Sequence, residues 1–192
     1  MKFNPQFGKD EHYIGPGEYY ASDQDIVIST LLGSCISVAL YDKEKKLGGI
    51  NHFMLPSPQN KEDLLFSRSA KYGIHAMELL INDILKLGGT KKLLKAKVFG
   101  GSSVINFKEK ATYNIPKMNI EFIFKFLELE HIPVESYSVG GSLPRKVYFF
   151  PADAKVLMRF SKTEYESLVK RESMYSQKLM ESPENAGKPI LF

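Results

Sequence analysis

The spacing of hydrophobic positions changes period several times along the chain, and each change predicts an element. Ile36 to Tyr41 is an apolar run of strand length, and Gly48 to Leu55 is a second, ended by Pro56, which cannot donate to a strand ladder. The charged stretch Asp42 to Lys46 between them reads as a hairpin loop. An earlier strand is expected around Ile26 to Ile28, before the break at Gly33-Ser34. Over Ser69 to Leu87 the period becomes helical: Met77, Leu80, Ile81, Ile84 and Leu85 share one face, and Gly88-Gly89 provides the stop.

Ile120, Ile123, Phe124 and Leu127 form a second helical face, with Asn119 expected as its N-cap and His131 and Pro133 as its end. Ala96 to Phe99, Val134 to Val139, Lys146 to Phe150 and Lys155 to Phe160 read as strands. Runs of strands with only two core helices point to an α+β fold rather than regular βαβ repetition. Residues 1–24, with Gly8, Gly15, Pro16 and Gly17, read as an irregular lead-in. Ser57 to Ser69 is a long polar connection of the kind that borders sites. Glu164 to Met180 has a helical pattern with balanced charge, and Ser182 to Lys188 reads as a loosely held tail. One domain is therefore expected over residues 1–160, followed by a helical extension and tail over 161–192.

A length of 192 residues, 43% of them apolar, supports one substantial core without staples. The single Cys excludes an internal disulfide and any four-thiolate zinc site, and suits a reducing compartment. The net charge of +4 is spread over a mixed surface. The densest basic stretch, Lys91, Lys92, Lys95 and Lys97, is broken by Leu93 and Leu94 and reads as solvated surface, so no nucleic-acid partner follows. The polar start and the lack of a long apolar stretch lead us to expect a cytoplasmic protein that does not insert into a membrane. The Gly pairs form no phosphate-binding pattern, and His12, His75 and His131 show no metal-ligand spacing. No cofactor and no metal are expected.

Cys35 lies directly behind Gly33-Ser34, where the chain must turn, and His52 lies on the returning strand one hairpin later. Pairing of the two strands brings Cys35 to face His52. A thiolate is a strong nucleophile, and an adjacent imidazole both promotes its formation and shuttles the proton. The hydroxyls of Ser29 and Thr30, at the end of the preceding strand, are the groups that can orient the imidazole; either one serves. Backbone amides around Gly33, Ser34 and Cys35 can form an oxyanion hole. A lone Cys is also commonly just a small buried hydrophobe, and His52 amid Phe53, Met54 and Leu55 has a core reading too.

Five segments resemble the CheD family of chemoreceptor glutamine deamidases in bacterial chemotaxis. They are T-L-L-G-S-C-I-S-V-A-L-Y-D at 30–42, G-G-I-N-H-F-M-L-P at 48–56, K-Y-G-I-H-A-M at 71–77, A-K-V-F-G-G at 96–101 and V-G-G-S-L-P-R-K-V at 139–147. The resemblance implies a Cys-His-Thr site carried by Cys35 as nucleophile, His52 as base and Thr30, with Ser29 as the fallback for the third member. It implies a sandwich of two packed mixed β-sheets flanked by helices, similar to the catalytic domain of cytotoxic necrotising factor toxins. It also implies hydrolysis of glutamine side chains on chemoreceptor cytoplasmic helices with release of ammonia, and a CheC-type phosphatase as partner; because the same thiolate can attack an ester, action on methylated glutamates is expected as a side activity. A non-catalytic module that binds receptors or that phosphatase is the alternative. Two segments depart from the family pattern, Tyr113 to Asn119 and Pro151 to Ala154, and neither contains Cys35 or His52.

Overall fold

The computed structural model describes residues 1–56, 68–104, 114–161 and 165–181. β1 (Lys2–Asn4), β2 (Lys9–Tyr13), β4 (Val27–Leu32), β9 (Arg145–Phe150) and β10 (Lys155–Phe160) form one sheet in that order. β3 (Tyr19–Ser22), β6 (Leu47–Asn51), β5 (Ile36–Asp42), β7 (Lys95–Gly100) and β8 (Val134–Val139) form a second. Each sheet is mixed: β2 runs parallel to β4, β7 runs parallel to β8, and the other neighbours are antiparallel.

The sheets pack face to face. Ile28, Leu32, Val147 and Phe149 of the first meet Ala39, Tyr41, Ile50 and Phe99 of the second in one apolar cluster. The outer face of the second sheet, with Ile36, Val38 and Leu40, is covered by α1 (Arg68–Lys86) and α2 (Ile115–Leu129). The strand-rich pattern predicts the α+β class, and the sandwich of two packed mixed sheets is the arrangement that the family resemblance implies. Every residue of β4 and β5 is buried, because both faces of these central strands are covered, and this explains their continuous apolar runs. Gly48 and Gly49 in β6 let neighbouring layers close in. A Cβ on Gly48 would meet the Leu40 carbonyl oxygen at 2.5 Å, and one on Gly49 would meet Leu80 of α1 at 2.6 Å.

The structure corrects several sequence expectations. The lead-in over residues 1–24 holds β1, β2 and β3, which are short and largely half-exposed and so lack a strong alternating signal. The strand expected at Ile26 to Ile28 runs on to Leu32 as β4, and the returning strand ends at Asn51, with one further bridge between Ile36 and Phe53. Asn114, not Asn119, caps α2 by accepting from Lys117 N, with Pro116 in the first turn. Asn119 lies inside the helix on its buried face. The polar connection lies outside the described residues except where α1 begins, and the tail over 182–188 lies outside them altogether. The helix expected over Glu164 to Met180 is present as α3 (Tyr165–Glu181). Among the described residues, no helix is long and apolar enough to cross a membrane.

The second sheet also fixes the backbone of residues 33–35. Gly101 N donates to the Cys35 carbonyl at 2.7 Å, and Ser102 N donates to the Gly33 carbonyl at 2.6 Å. Gly100 makes this approach possible at φ 113°, with its absent Cβ only 2.1 Å from the Cys35 carbonyl oxygen. Gly100→Ala is therefore expected to cost about 2 kcal/mol or more in a two-state urea titration. A midpoint equal to that of the wild type would show that this approach is not tight.

Candidate functional site

The strand pleat decides which hydroxyl of β4 faces inward. Ile28, Thr30 and Leu32 share the face toward the second sheet, while Val27, Ser29 and Leu31 share the opposite face. Thr30 Oγ1 lies 2.7 Å from His52 Nδ1. Ser29 points away and donates to the Glu11 carboxylate instead. Of the two hydroxyls left open by the sequence, the structure brings only Thr30 to the imidazole.

His52 follows β6 directly, and the lead-in holds its backbone. Its N–H donates to the Glu18 carbonyl at 2.9 Å, and its carbonyl accepts from Gly17 N at 2.7 Å. Cys35 lies one residue before Ile36, which exchanges two backbone hydrogen bonds with Phe53 at 2.8 and 2.9 Å. The β5–β6 hairpin thus carries thiol and imidazole side by side, both buried.

The Thr30 hydroxyl has one proton, and it donates to the Ile14 carbonyl at 2.9 Å. Its bond with His52 must then be accepted, which places the ring proton on Nδ1 and leaves Nε2 as the basic nitrogen. Nε2 is buried and has no hydrogen-bond partner among the described residues. Ile14, Gly17 and Glu18 all belong to the segment that reads as irregular in the sequence, where Gly and Pro signal a turn without showing what it holds.

Two residues missed by the sequence reading complete the site. Asn119 Nδ2 donates to the Ser34 carbonyl, and its Oδ1 accepts from Leu55 N, both at 2.8 Å, so α2 braces the turn before Cys35. Glu172 of α3 enters from far along the chain. One of its oxygens accepts from Gly33 N at 2.9 Å and Cys35 N at 3.3 Å. The other accepts from Ser34 N at 2.8 Å and the Ser34 hydroxyl at 2.5 Å. Three successive amides aimed at one carboxylate make an anion-binding nest. The signal for Glu172 was present in the sequence, since it interrupts the otherwise apolar stripe of Tyr165, Leu168, Tyr175 and Leu179.

Cys35 Sγ, a ring nitrogen of His52 and a Glu172 oxygen lie within 4.8 Å of one another. Thiolate, imidazole and carboxylate are zinc ligands in kind, brought together by the long-range assembly that His spacing alone does not reveal. Here the Glu172 oxygens are already engaged by amide donors. Burial and then the neighbouring Glu172 carboxylate push the Cys35 thiol well above its usual range. Burial and then the Arg171 charge lower His52 to about 3. Thiol and imidazole are thus both neutral in this closed arrangement.

The family model for CheD chemotactic sensory transduction matches residues 54–160. A Shewanella oneidensis protein named Probable chemoreceptor glutamine deamidase CheD 1 is 42% identical over 94% of this chain and 87% of its own length. The chain belongs to the CheD family. A Methylobacillus flagellatus CheD relative, with the corresponding name, is also 42% identical and spans 100% of this chain and 94% of its own length. The CheD family span opens two residues after His52, whereas these pairwise matches extend over nearly the whole chain. Among solved structures, Neisseria meningitidis protein NMB0706 aligns with TM-score 0.42 at 12% identity, covering 71% of this CheD chain and 65% of its own.

A buried neutral His52 carries a pH signature. The unfolded chain takes up a proton near pH 6.5, whereas the folded chain does so only near 3. The unfolded state therefore binds more protons throughout that interval, and stability falls as pH is lowered through it. The slope from this group is about 1.4 kcal/mol per pH unit. Urea titrations of wild type and His52→Asn from pH 7 to 4 are expected to show a shallower loss in the variant. Equal slopes would mean that His52 is not held neutral.

Proposed function

We propose that this protein deamidates glutamine side chains of chemoreceptors to glutamate, with Cys35 as nucleophile, His52 as general base and Thr30 as the residue that positions His52. The reading is supported by the names of its CheD relatives and carried by one structural observation. The hydrogen-bond chain from His52 Nδ1 through Thr30 to the Ile14 carbonyl leaves Nε2 without a partner among the described residues, in a site it shares with the Cys35 thiol.

In this mechanism Nε2 takes the Cys35 proton, and the thiolate adds to the carboxamide carbon. The developing oxyanion lies in the nest formed by the amides of Gly33, Ser34 and Cys35, which point there before the reaction begins. The imidazolium then protonates the leaving nitrogen, ammonia departs and a thioester remains. Water, deprotonated by the same Nε2, attacks the thioester and releases the thiol and a glutamate. A glutamyl methyl ester offers the same carbonyl with methanol as its leaving group, so esterase action on methylated glutamates belongs to this chemistry. The substrates belong to receptor cytoplasmic regions, and the protein is read as cytoplasmic on that account.

Receptor cytoplasmic fragments incubated with wild type are expected to release ammonia and gain about one mass unit per modified glutamine, while Cys35→Ala produces neither. Receptor binding without that mass change would favour the alternative of a module that docks on receptors or a CheC-type phosphatase. Thr30→Val keeps the shape and removes the hydroxyl. It is expected to lower kcat by on the order of 10²-fold, whereas Ser29→Ala should have little effect. Equal turnover in wild type and Thr30→Val would remove Thr30 from the mechanism.

A further inference from the structure

A glutamate stands at the centre of the buried face of α3. Tyr165, Leu168, Glu172, Tyr175 and Leu179 follow one another at intervals of three and four, the spacing that seats one face of a helix in a groove. Leu168 packs with Leu31 and Val104, and the Tyr165 hydroxyl donates to the Val104 carbonyl. Tyr72 and Tyr175 share a hydrogen bond between their hydroxyls, and Arg171 donates to the Tyr13 hydroxyl at 2.7 Å. An acidic side chain at the middle of such a face is costly unless its oxygens are matched. Four donors from residues 33–35 match them.

Those donors also define what the pocket is shaped to hold. A deamidase makes a glutamate side chain, and Glu172 is a glutamate side chain presented to the Cys35 thiol from a helix. We propose that α3 is a tethered product analogue: Glu172 fills the carboxamide subsite built from the Gly33, Ser34 and Cys35 amides and the Ser34 hydroxyl, and a substrate glutamine carried on a helix displaces α3 to reach Cys35. The proposal rests on the deamidase reading and deepens it, giving the form of the substrate and a brake held within the chain itself.

The brake acts in two ways. α3 occupies the groove a second helix would need, and as part of the same chain it competes at an effective concentration of about millimolar. With Glu172 in place, the thiol is also kept from ionising, since the carboxylate accepts where a thiolate would need donors. The Gly33 position is fitted to this occupant, because a Cβ there would meet Val104 at 2.3 Å and a Glu172 oxygen at 2.9 Å.

The test uses the full chain and two readouts. Glu172→Ala is expected to speed alkylation of Cys35 by iodoacetamide, and deamidation of receptor fragments, by about tenfold or more relative to wild type. Glu166→Ala, at an exposed position in the first turn of α3, should change neither. Unchanged alkylation and turnover in Glu172→Ala would overturn the brake. Faster alkylation with no deamidation by either protein would instead overturn the deamidase reading and leave the helix as a cap on a thiol.

Glu172→Gln provides the second variant and keeps the side-chain shape. It turns the brake into a substrate within the same molecule: the Cys35 thiol adds to the new carboxamide, ammonia leaves, and water resolves the thioester to the original glutamate. Mass spectrometry of this variant is expected to show either a gain of about one mass unit at position 172 or loss of ammonia with a link to Cys35, at a rate independent of protein concentration. The double variant Cys35→Ala with Glu172→Gln should show neither. A carboxamide at position 172 that persists while the same protein deamidates receptor fragments would overturn the product-analogue assignment.

Discussion

A hydroxyl has one proton, and the arrangement of this site follows from where Thr30 spends it. Given to the Ile14 carbonyl, that proton obliges Thr30 to accept from His52 Nδ1, and the basic nitrogen of the ring becomes Nε2. The bond also joins the two sheets, since Thr30 belongs to β4 of the first and His52 follows β6 of the second. Much of the local structure serves this contact. Gly17 and Glu18 hold His52 by its backbone, the Gly100 to Ser102 segment holds the carbonyls of residues 33 and 35, and Asn119 holds the carbonyl of Ser34.

The electrostatics of the site depend on what fills it. With Glu172 seated in the nest, burial and a neighbouring negative charge both favour the neutral thiol, and burial favours the neutral imidazole. The same amides that satisfy Glu172 are those the proposed mechanism needs for an oxyanion. A pocket that holds a carboxylate by three backbone N–H groups and a hydroxyl is well matched to a reaction whose intermediate carries charge on a carbonyl oxygen and whose product is a carboxylate. In this account occupant and intermediate differ chiefly in the bond to sulfur.

Legibility in the sequence followed distance along the chain. Cys35 and His52 could be paired because one hairpin separates them, and its charged loop and apolar strands are strong signals. Choosing between Ser29 and Thr30 required knowing which face of β4 meets the second sheet. Every residue of that strand is apolar or small and all are buried, so no alternation revealed the face. Asn119 read as a cap because Asn favours helix starts, but the start lies earlier, at Asn114 and Pro116, and Asn119 serves the backbone of Ser34 and Leu55 from inside the helix. Glu172 contacts residues 137 to 139 positions away, beyond any local pattern, and only its place in an apolar stripe marked it out.

The tautomer of His52 tests the central claim most directly. Nitrogen NMR of the full chain, with ring nitrogens labelled and the His52 signals assigned by comparison with His52→Asn, reads which nitrogen carries the proton at neutral pH. The account predicts a protonated Nδ1 and an unprotonated Nε2 in wild type, with that preference lost in Thr30→Val. A proton on Nε2 in wild type would contradict it, because no basic nitrogen would then be available to take the Cys35 proton.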